Sequence, residues 1–254
     1  MSNSVLKFQH VSFHYEEGKT PILKDFDIQV NEGEFVSIIG PSGSGKSTLF
    51  KLVTGLEQPT EGEIFLRNKL ESNRLGKVGY MPQQDLLLPW RTIVENAALP
   101  LEINGVNKKE AHKRVLGLLE EFGLKGVEDC FPSDLSGGMR QRVSFLRTIL
   151  SGSEVLLLDE PFSALDAITR ISLQEWLLSK WEKRKETILF ITHDVNEALF
   201  LSDRIFIFTD MPSSKLEEVK VPLERPRELK DLNKPEVIKL KDYLIDQLRA
   251  RRKS

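Results

Sequence analysis

The segment Gly40-Pro-Ser-Gly-Ser-Gly45-Lys46-Ser47-Thr48 constrains this chain more than any other. Two glycines separated by four residues, then Lys and Ser, let the backbone curl until successive N–H groups converge on one anion. The segment follows the apolar run 35–39 and leads into Leu49, Leu52 and Val53, one side of a helix. A buried strand, a glycine-rich turn and a helix N-terminus in that order make a phosphate cradle, because the positive end of the helix dipole faces the ligand. Gly40, Pro41, Ser42, Gly43, Ser44, Gly45, Lys46, Ser47 and Thr48 are therefore the candidate phosphate-binding residues. Lys46 is expected to reach the β and γ phosphates of a nucleotide, and the Ser47 hydroxyl to ligate Mg²⁺.

The remaining pattern predicts an α/β fold. Runs at 155–158, 188–192 and 205–208 are short and apolar on both faces, as the buried strands of a parallel sheet are. Between them the period turns helical: Ala111, Val115, Leu118, Leu119 and Phe122 share one face, with Gly123 as a C-cap. A second helix carries Met139, Val143, Leu146 and Leu150 and stops near Gly152. The expected organisation is a single domain over residues 1–254. Its α/β core covers 1–91 and 151–210, a helical subdomain occupies 92–150, and an extension fills 211–254. In that extension Val237, Leu240, Leu244 and Leu248 mark the apolar stripe of an amphipathic helix. Arg249, Arg251, Arg252 and Lys253 close the chain and read as a solvated helix end or as a contact to acidic lipid or nucleic acid.

Composition narrows the function classes. The chain has 254 residues, 29% charged and 40% apolar, with a formal net charge of −2, which suits a folded globular protein. A dedicated nucleic-acid binder would be more basic, so no nucleic-acid partner is expected. The richest apolar stretch, 187–208, is interrupted by His193, Asp194, Glu197, Asp203 and Arg204, and no run reaches the roughly 20 residues a membrane span needs. The N-terminus has no secretory apolar region. Work at a membrane would then proceed from its cytoplasmic side through a partner. The single cysteine, Cys130, favours a reducing compartment and reads as a small apolar filler.

Two more segments carry chemistry. Val155-Leu-Leu-Leu158-Asp159-Glu160 is an apolar strand ending in two acids. Asp159 is expected in the metal shell at the strand's C-terminal edge, and Glu160 to polarise a water for in-line attack on the γ-phosphate. Ser136, Gly137 and Gly138 open the second subdomain helix as another anion-binding N-terminus. His193 follows the run 188–192 directly, at a sheet edge suited to a γ-phosphate contact.

Together these motifs make the sequence similar to the ATP-binding subunits of ATP-binding cassette (ABC) transporters, over nearly the whole chain. Leu135-Ser-Gly-Gly138 resembles the family's signature, with Met139 where many members carry glutamine. Tyr80-Met-Pro-Gln83 resembles the Q-loop, Ser163-Ala-Leu-Asp166 the D-loop, and Tyr15 the aromatic that stacks on adenine. Leu88-Pro-Trp90-Arg-Thr92 and Gly137-Gly-Met-Arg-Gln-Arg142 resemble the importer branch that serves nitrate, alkanesulfonates, taurine or thiamine-precursor pyrimidines.

The resemblance implies a P-loop NTPase (RecA-like) sheet core with an inserted α-helical signature subdomain, and ATP with Mg²⁺ as cofactors. Two subunits would pair head to tail, as a homodimer or with a similar subunit. Tyr15, Lys46, Ser47, Gln83, Asp159, Glu160 and His193 would act in cis, Ser136 to Gly138 in trans, and Asp166 would link the two sites. Ser47, Gln83 and Asp159 are the implied metal-shell residues, with Glu160, His193 and Gln83 the catalytic set. A membrane-spanning permease and, indirectly, an extracytoplasmic solute-binding protein are the implied partners, with the subunit at the cytoplasmic face of the cell membrane. A chromosome- or repair-type ATPase would need a long coiled-coil insertion, and a ribosome-acting pair a second phosphate loop. An exporter subunit stays open as an alternative. Leu86, Leu87, Leu88 and Trp90 form an apolar cluster that either packs inside the helical lobe or lines a groove for a helix of the permease.

Overall fold

The computed structural model describes residues 3–16, 20–208 and 216–250, so Arg251, Arg252 and Lys253 lie outside the described residues. In chain order the elements are β1 (Ser4–Phe13), β2 (Leu23–Asn31), β3 (Phe35–Ile39), α1 (Lys46–Thr54), β4 (Glu61–Leu66), β5 (Lys69–Leu70), β6 (Gly79–Met81), α2 (Ile93–Ile103), α3 (Lys108–Leu119), α4 (Gly137–Ile149), β7 (Val155–Asp159), α5 (Ala167–Arg184), β8 (Thr187–Ile191), α6 (Val195–Leu201), β9 (Arg204–Phe208), β10 (Leu216–Lys220) and α7 (Pro235–Ala250). They fall into two compact units, residues 1–77 with 174–254 and residues 78–173.

In the first unit β3 lies between β8 and β9 with both neighbours parallel, Ser37 opposite Phe190 on one side and Ile205 on the other. All five residues of β3 and of β8 are buried, the two-sided burial that their unbroken apolar runs require. Strand β10 adds antiparallel to β9, Val219 opposite Ile205. Phe35 packs edge-on against Trp181 and Phe190, with centroids 5.7 and 5.8 Å away. Lys185 and Arg225 place their cations 4.1 and 4.0 Å from the Trp181 ring centroid.

This unit also holds an antiparallel sheet in the order β2-β1-β4-β5, outside the strand runs that sequence patterning marks. The alternation is broken physically. The β1–β2 register shifts between Phe8 and Val11, where His10 adopts φ 52°, and again between Val11 and Phe13, with Asp25 at φ 49° on the facing strand. Gly62 is required opposite this bulge, since a Cβ there would stand 2.2 Å from the His10 carbonyl oxygen.

The C-terminal extension belongs to the same unit's core. Val237 and Leu244 of α7 are fully buried with Ala198 and Leu199 of α6 and Ile205 and Ile207 of β9. Arg227 seals the C-terminal end of α6, donating from Nη1 to the carbonyls of Leu199, Phe200 and Ser202.

In the second unit β6 and β7 pair in parallel, Tyr80 opposite Leu157. Helix α2 starts with a capping box: Thr92 Oγ1 accepts from Glu95 N, and the Glu95 carboxylate accepts from Thr92 N. The sequence places the following helix over 111–122. The structure ends it at Leu119 and turns through Phe122, still fully buried, to Gly123 at φ 64°. Phe122 is thus a core anchor just past its helix, packing 6.2 Å from Phe145 of α4.

Candidate functional site

The phosphate loop joins β3 to α1 inside the first unit. Gly45 holds φ 95° at the helix N-cap, and a Cβ there would stand 2.7 Å from Ile22 Cγ2. At Gly40 a Cβ would press to 2.8 Å from Phe208 Cβ and 2.9 Å from Ser44 Oγ. Only glycine lets the backbone pass this close to its neighbours at these two positions. The Lys46 ammonium is buried and donates to Gly40 O at 2.9 Å and Pro41 O at 2.7 Å. A side chain already folded across the loop reaches any anion held there at little further entropic cost.

Ser47 sits one residue into α1 with an exposed side chain, and Thr48 is buried. The Thr48 hydroxyl lies 3.4 Å from Tyr15 Oη, and Lys51 donates to that same phenol oxygen at 3.2 Å. Tyr15, half-buried and propped edge-on by Phe13 at 4.9 Å, therefore stands beside the phosphate-loop helix.

His193 is exposed on the turn between β8 and α6. Its neighbour Thr192 donates from Oγ1 to Glu197 Oε2 at 2.5 Å, and Gln174 Nε2 donates to Glu197 Oε1 at 2.9 Å. Asp194 caps α6 by accepting from Asn196 N at 2.7 Å. This buried brace holds the turn that presents the imidazole. No sequence motif signals Gln174 or Glu197 in that role.

The second unit carries the acidic and signature residues. Asp159 ends β7 buried, and Glu160 follows at φ 45°, a left-handed backbone that turns its carboxylate away from the strand. Tyr80 Oη donates to Asp159 Oδ2 at 3.4 Å. Burial first, then the Asp159 charge, push the Tyr80 phenol up to about 12, so it remains a donor throughout the neutral range. Gln83 Nε2 donates to Glu160 Oε2 at 3.2 Å and to Ser163 Oγ at 3.3 Å. Gln83 and Glu160 thus meet, although 77 residues separate them in sequence.

Ser136 caps α4 by accepting from Met139 N at 3.3 Å, with Gly137 and Gly138 forming the first turn. Gly138 has no room for a side chain, because a Cβ would stand 2.8 Å from Thr169 Cγ2. Asp166 caps α5 by accepting from Ile168 N and Thr169 N, and hydrogen bonds from the Thr169 side chain first and its backbone second hold the exposed carboxyl below the usual range. Beside the signature helix an open cavity of about 540 Å³ is lined by Gln83, Asp85, Leu86, Gly137, Arg140 and Leu165 among others. The apolar cluster next to it divides: Leu87 is buried at 8% exposure, whereas Leu86 and Trp90 are 58% and 72% exposed. Cys130 is half-buried, on the segment whose carbonyl accepts from Ile93 N.

The donors fit the groups that the motifs imply. Asp159 and Ser47 offer hard oxygens, the ligand class that Mg²⁺ takes, and the glycine cradle fits phosphate. Among the described residues no helix is long and apolar enough to cross a membrane.

Residues 23–163 match the family model described as ABC transporter. The chain is 50% identical over 236 residues to the formylaminopyrimidine import ATP-binding protein of Halalkalibacterium halodurans, covering 93% of this chain and 92% of that protein. It is 42% identical to an aliphatic sulfonates import ATP-binding protein of Rhodococcus jostii, over 90% of this chain and 88% of that one. Among solved structures, a dimeric ATP-binding cassette in a post-hydrolysis state bound to ADP and Pi superposes with a TM-score of 0.73 at 32% identity, covering 86% of this chain and 100% of that one.

Proposed function

The chain belongs to the ABC transporter family as an ATP-binding subunit that hydrolyses ATP to energise an importer, and from that premise we propose how its own residues divide the work and what it helps to import. Lys46 and the loop amides bind the phosphates, and Tyr15 stacks on the base. Ser47 and Asp159 are the residues that would hold Mg²⁺, which when bound neutralises charge on the β and γ oxygens. Glu160 accepts the proton of the attacking water, and the Gln83 amide orients that carboxylate. His193, on its braced turn, hydrogen-bonds the γ-phosphate.

Ser136 to Gly138 serve the nucleotide of a second, head-to-tail subunit, and Asp166 links the paired sites. The observation that carries this division is the Gln83–Glu160 hydrogen bond, which aims a carboxylate without neutralising it. Leu86 and Trp90 dock a helix of a membrane-spanning permease, which holds the subunit at the cytoplasmic face of the membrane. A solute-binding protein delivers the solute from outside.

For the solute, the 50% identity over almost the full chain favours a formylaminopyrimidine, the thiamine-precursor class. In membrane vesicles holding this subunit with its permease, ATP hydrolysis should rise when a receptor loaded with formylaminopyrimidine is added. Stimulation by an alkanesulfonate receptor instead would move the assignment to the sulfonate branch.

A further inference from the structure

One face of α4 grips the backbone of the loop that bears Leu86 and Trp90. Arg140, Ser144 and Arg147 stand at i, i+4 and i+7 and so share a helical face. Arg140 Nε donates to Asp85 Oδ2 at 3.1 Å, while its Nη1 donates to Leu135 O at 2.7 Å. Arg147 donates from Nη2 to Asp85 O at 2.5 Å and from Nη1 to Leu86 O at 2.9 Å. Ser144 Oγ adds a bond to Asp85 O at 3.4 Å.

The other Asp85 carboxylate oxygen accepts from Leu87 N at 3.1 Å, so one side chain both ties the loop to α4 and shapes it from within. Leu86 is held at φ 44°, a strained conformation for a residue with a Cβ, which persists only where surrounding bonds over-determine it. Arg147's fork reaches two adjacent carbonyls at once, a geometry that a lysine ammonium cannot copy.

Arg140 also lies in the first turn of α4, whose cap is Ser136. Its two bonds, to Leu135 O and to Asp85, therefore span the distance from the signature anion site to the loop. We propose that Arg140 and Arg147 are positioning residues that make α4 and loop 85–90 one mechanical unit, so that ATP captured at Ser136–Gly138 orders the docking loop and docking in turn favours capture. The equality of the two effects follows from linkage. The inference rests on the head-to-tail reading of the signature residues, and the test separates the two.

The experiment uses the full chain carrying Glu160→Gln, which should hold MgATP without turnover. Hydrogen exchange of a peptide spanning 84–91 is measured with and without MgATP, alongside size-exclusion chromatography. The parent should dimerise, and exchange in that peptide should slow by about fivefold or more. With Arg140→Lys and Arg147→Lys added, the dimer should still form but the slowing should vanish. Asp85→Asn, a milder change that keeps the acceptor for Leu87 N, should diminish it and serves if the double variant fails to fold. Undiminished slowing in the variants, or a parent dimer with no slowing, overturns the clamp. A parent that does not dimerise overturns the head-to-tail reading, and the clamp with it.

Discussion

Gln83 and Glu160 are joined by one hydrogen bond of 3.2 Å from amide nitrogen to carboxylate oxygen, and Ser163 shares the same amide at 3.3 Å. A neutral donor fixes the direction of a carboxylate without ending its capacity to take a proton, which a cationic partner would oppose. Glu160→Gln preserves the side chain's shape and an acceptor oxygen for Gln83 but removes the base. ATP should then still bind and close the dimer while turnover falls by about 10²-fold or more. Single-turnover hydrolysis with size-exclusion in MgATP checks this, and near-normal turnover would transfer the base role to His193.

Lys46 is the cation folded across the phosphate loop, donating to the carbonyls of Gly40 and Pro41. Lys46→Ala deletes a charge on the β and γ phosphates that backbone amides do not replace, so tight ATP binding should be lost. Tyr15→Ala should cost only about 1 to 3 kcal/mol, the worth of one stacked base. Titrating ATP against inorganic triphosphate separates the two: Tyr15→Ala should weaken the nucleotide alone.

Arg74 predicts a loss of stability transmitted to the same helix. It is buried at 2% exposure and donates to Leu52 O at 2.8 Å, Glu57 O at 3.3 Å and Gln58 Oε1 at 2.9 Å, closing the C-terminal end of α1. Burial lowers its pKa, and the carbonyls around it make the buried charge tolerable. Arg74→Met should strand several buried acceptors and cost about 3 kcal/mol or more. A denaturant titration measures it, and an unchanged midpoint would show that solvent satisfies those carbonyls.

What the sequence discloses and what it conceals divide along physical lines. The phosphate loop is legible because its chemistry demands particular residues next to one another, and β3, β7, β8 and β9 because burial on both faces demands unbroken apolar runs. The antiparallel sheet is not, since the bulge at His10 and Asp25 breaks the period of two that would announce it. Arg74, Arg140 and Arg147 are equally hidden. Each works on backbone carbonyls or carboxylates brought near by folding, and a carbonyl acceptor leaves no mark on composition or spacing. The apolar run 86–90 is legible as important but ambiguous as to why: Leu87 is buried while Leu86 and Trp90 are exposed, and hydrophobicity alone does not say which residues are covered.

That division decides the forecast for Trp90. Leu87 is 8% exposed and Asn96 binds the Leu88 backbone in both directions, accepting from Leu88 N at 2.7 Å and donating to Leu88 O at 3.1 Å. The loop is therefore anchored by residues other than Trp90, whose ring is 72% exposed. Truncating an exposed ring opens no internal cavity, so Trp90→Ala should change stability by no more than about 0.5 kcal/mol. A core tryptophan would instead cost about 3 to 5 kcal/mol on truncation. A large aromatic kept in water at a rigid loop has the character of an interface anchor, for which loss of one side chain removes about 2 kcal/mol or more of binding. Leu87→Ala should behave in the opposite way, lowering the melting temperature of the subunit on its own. Thermal melts of the two variants, run beside co-purification with the permease, distinguish packing from docking. A Trp90→Ala subunit that melts as the parent does and still holds the permease at full strength would remove Trp90 from the docking surface.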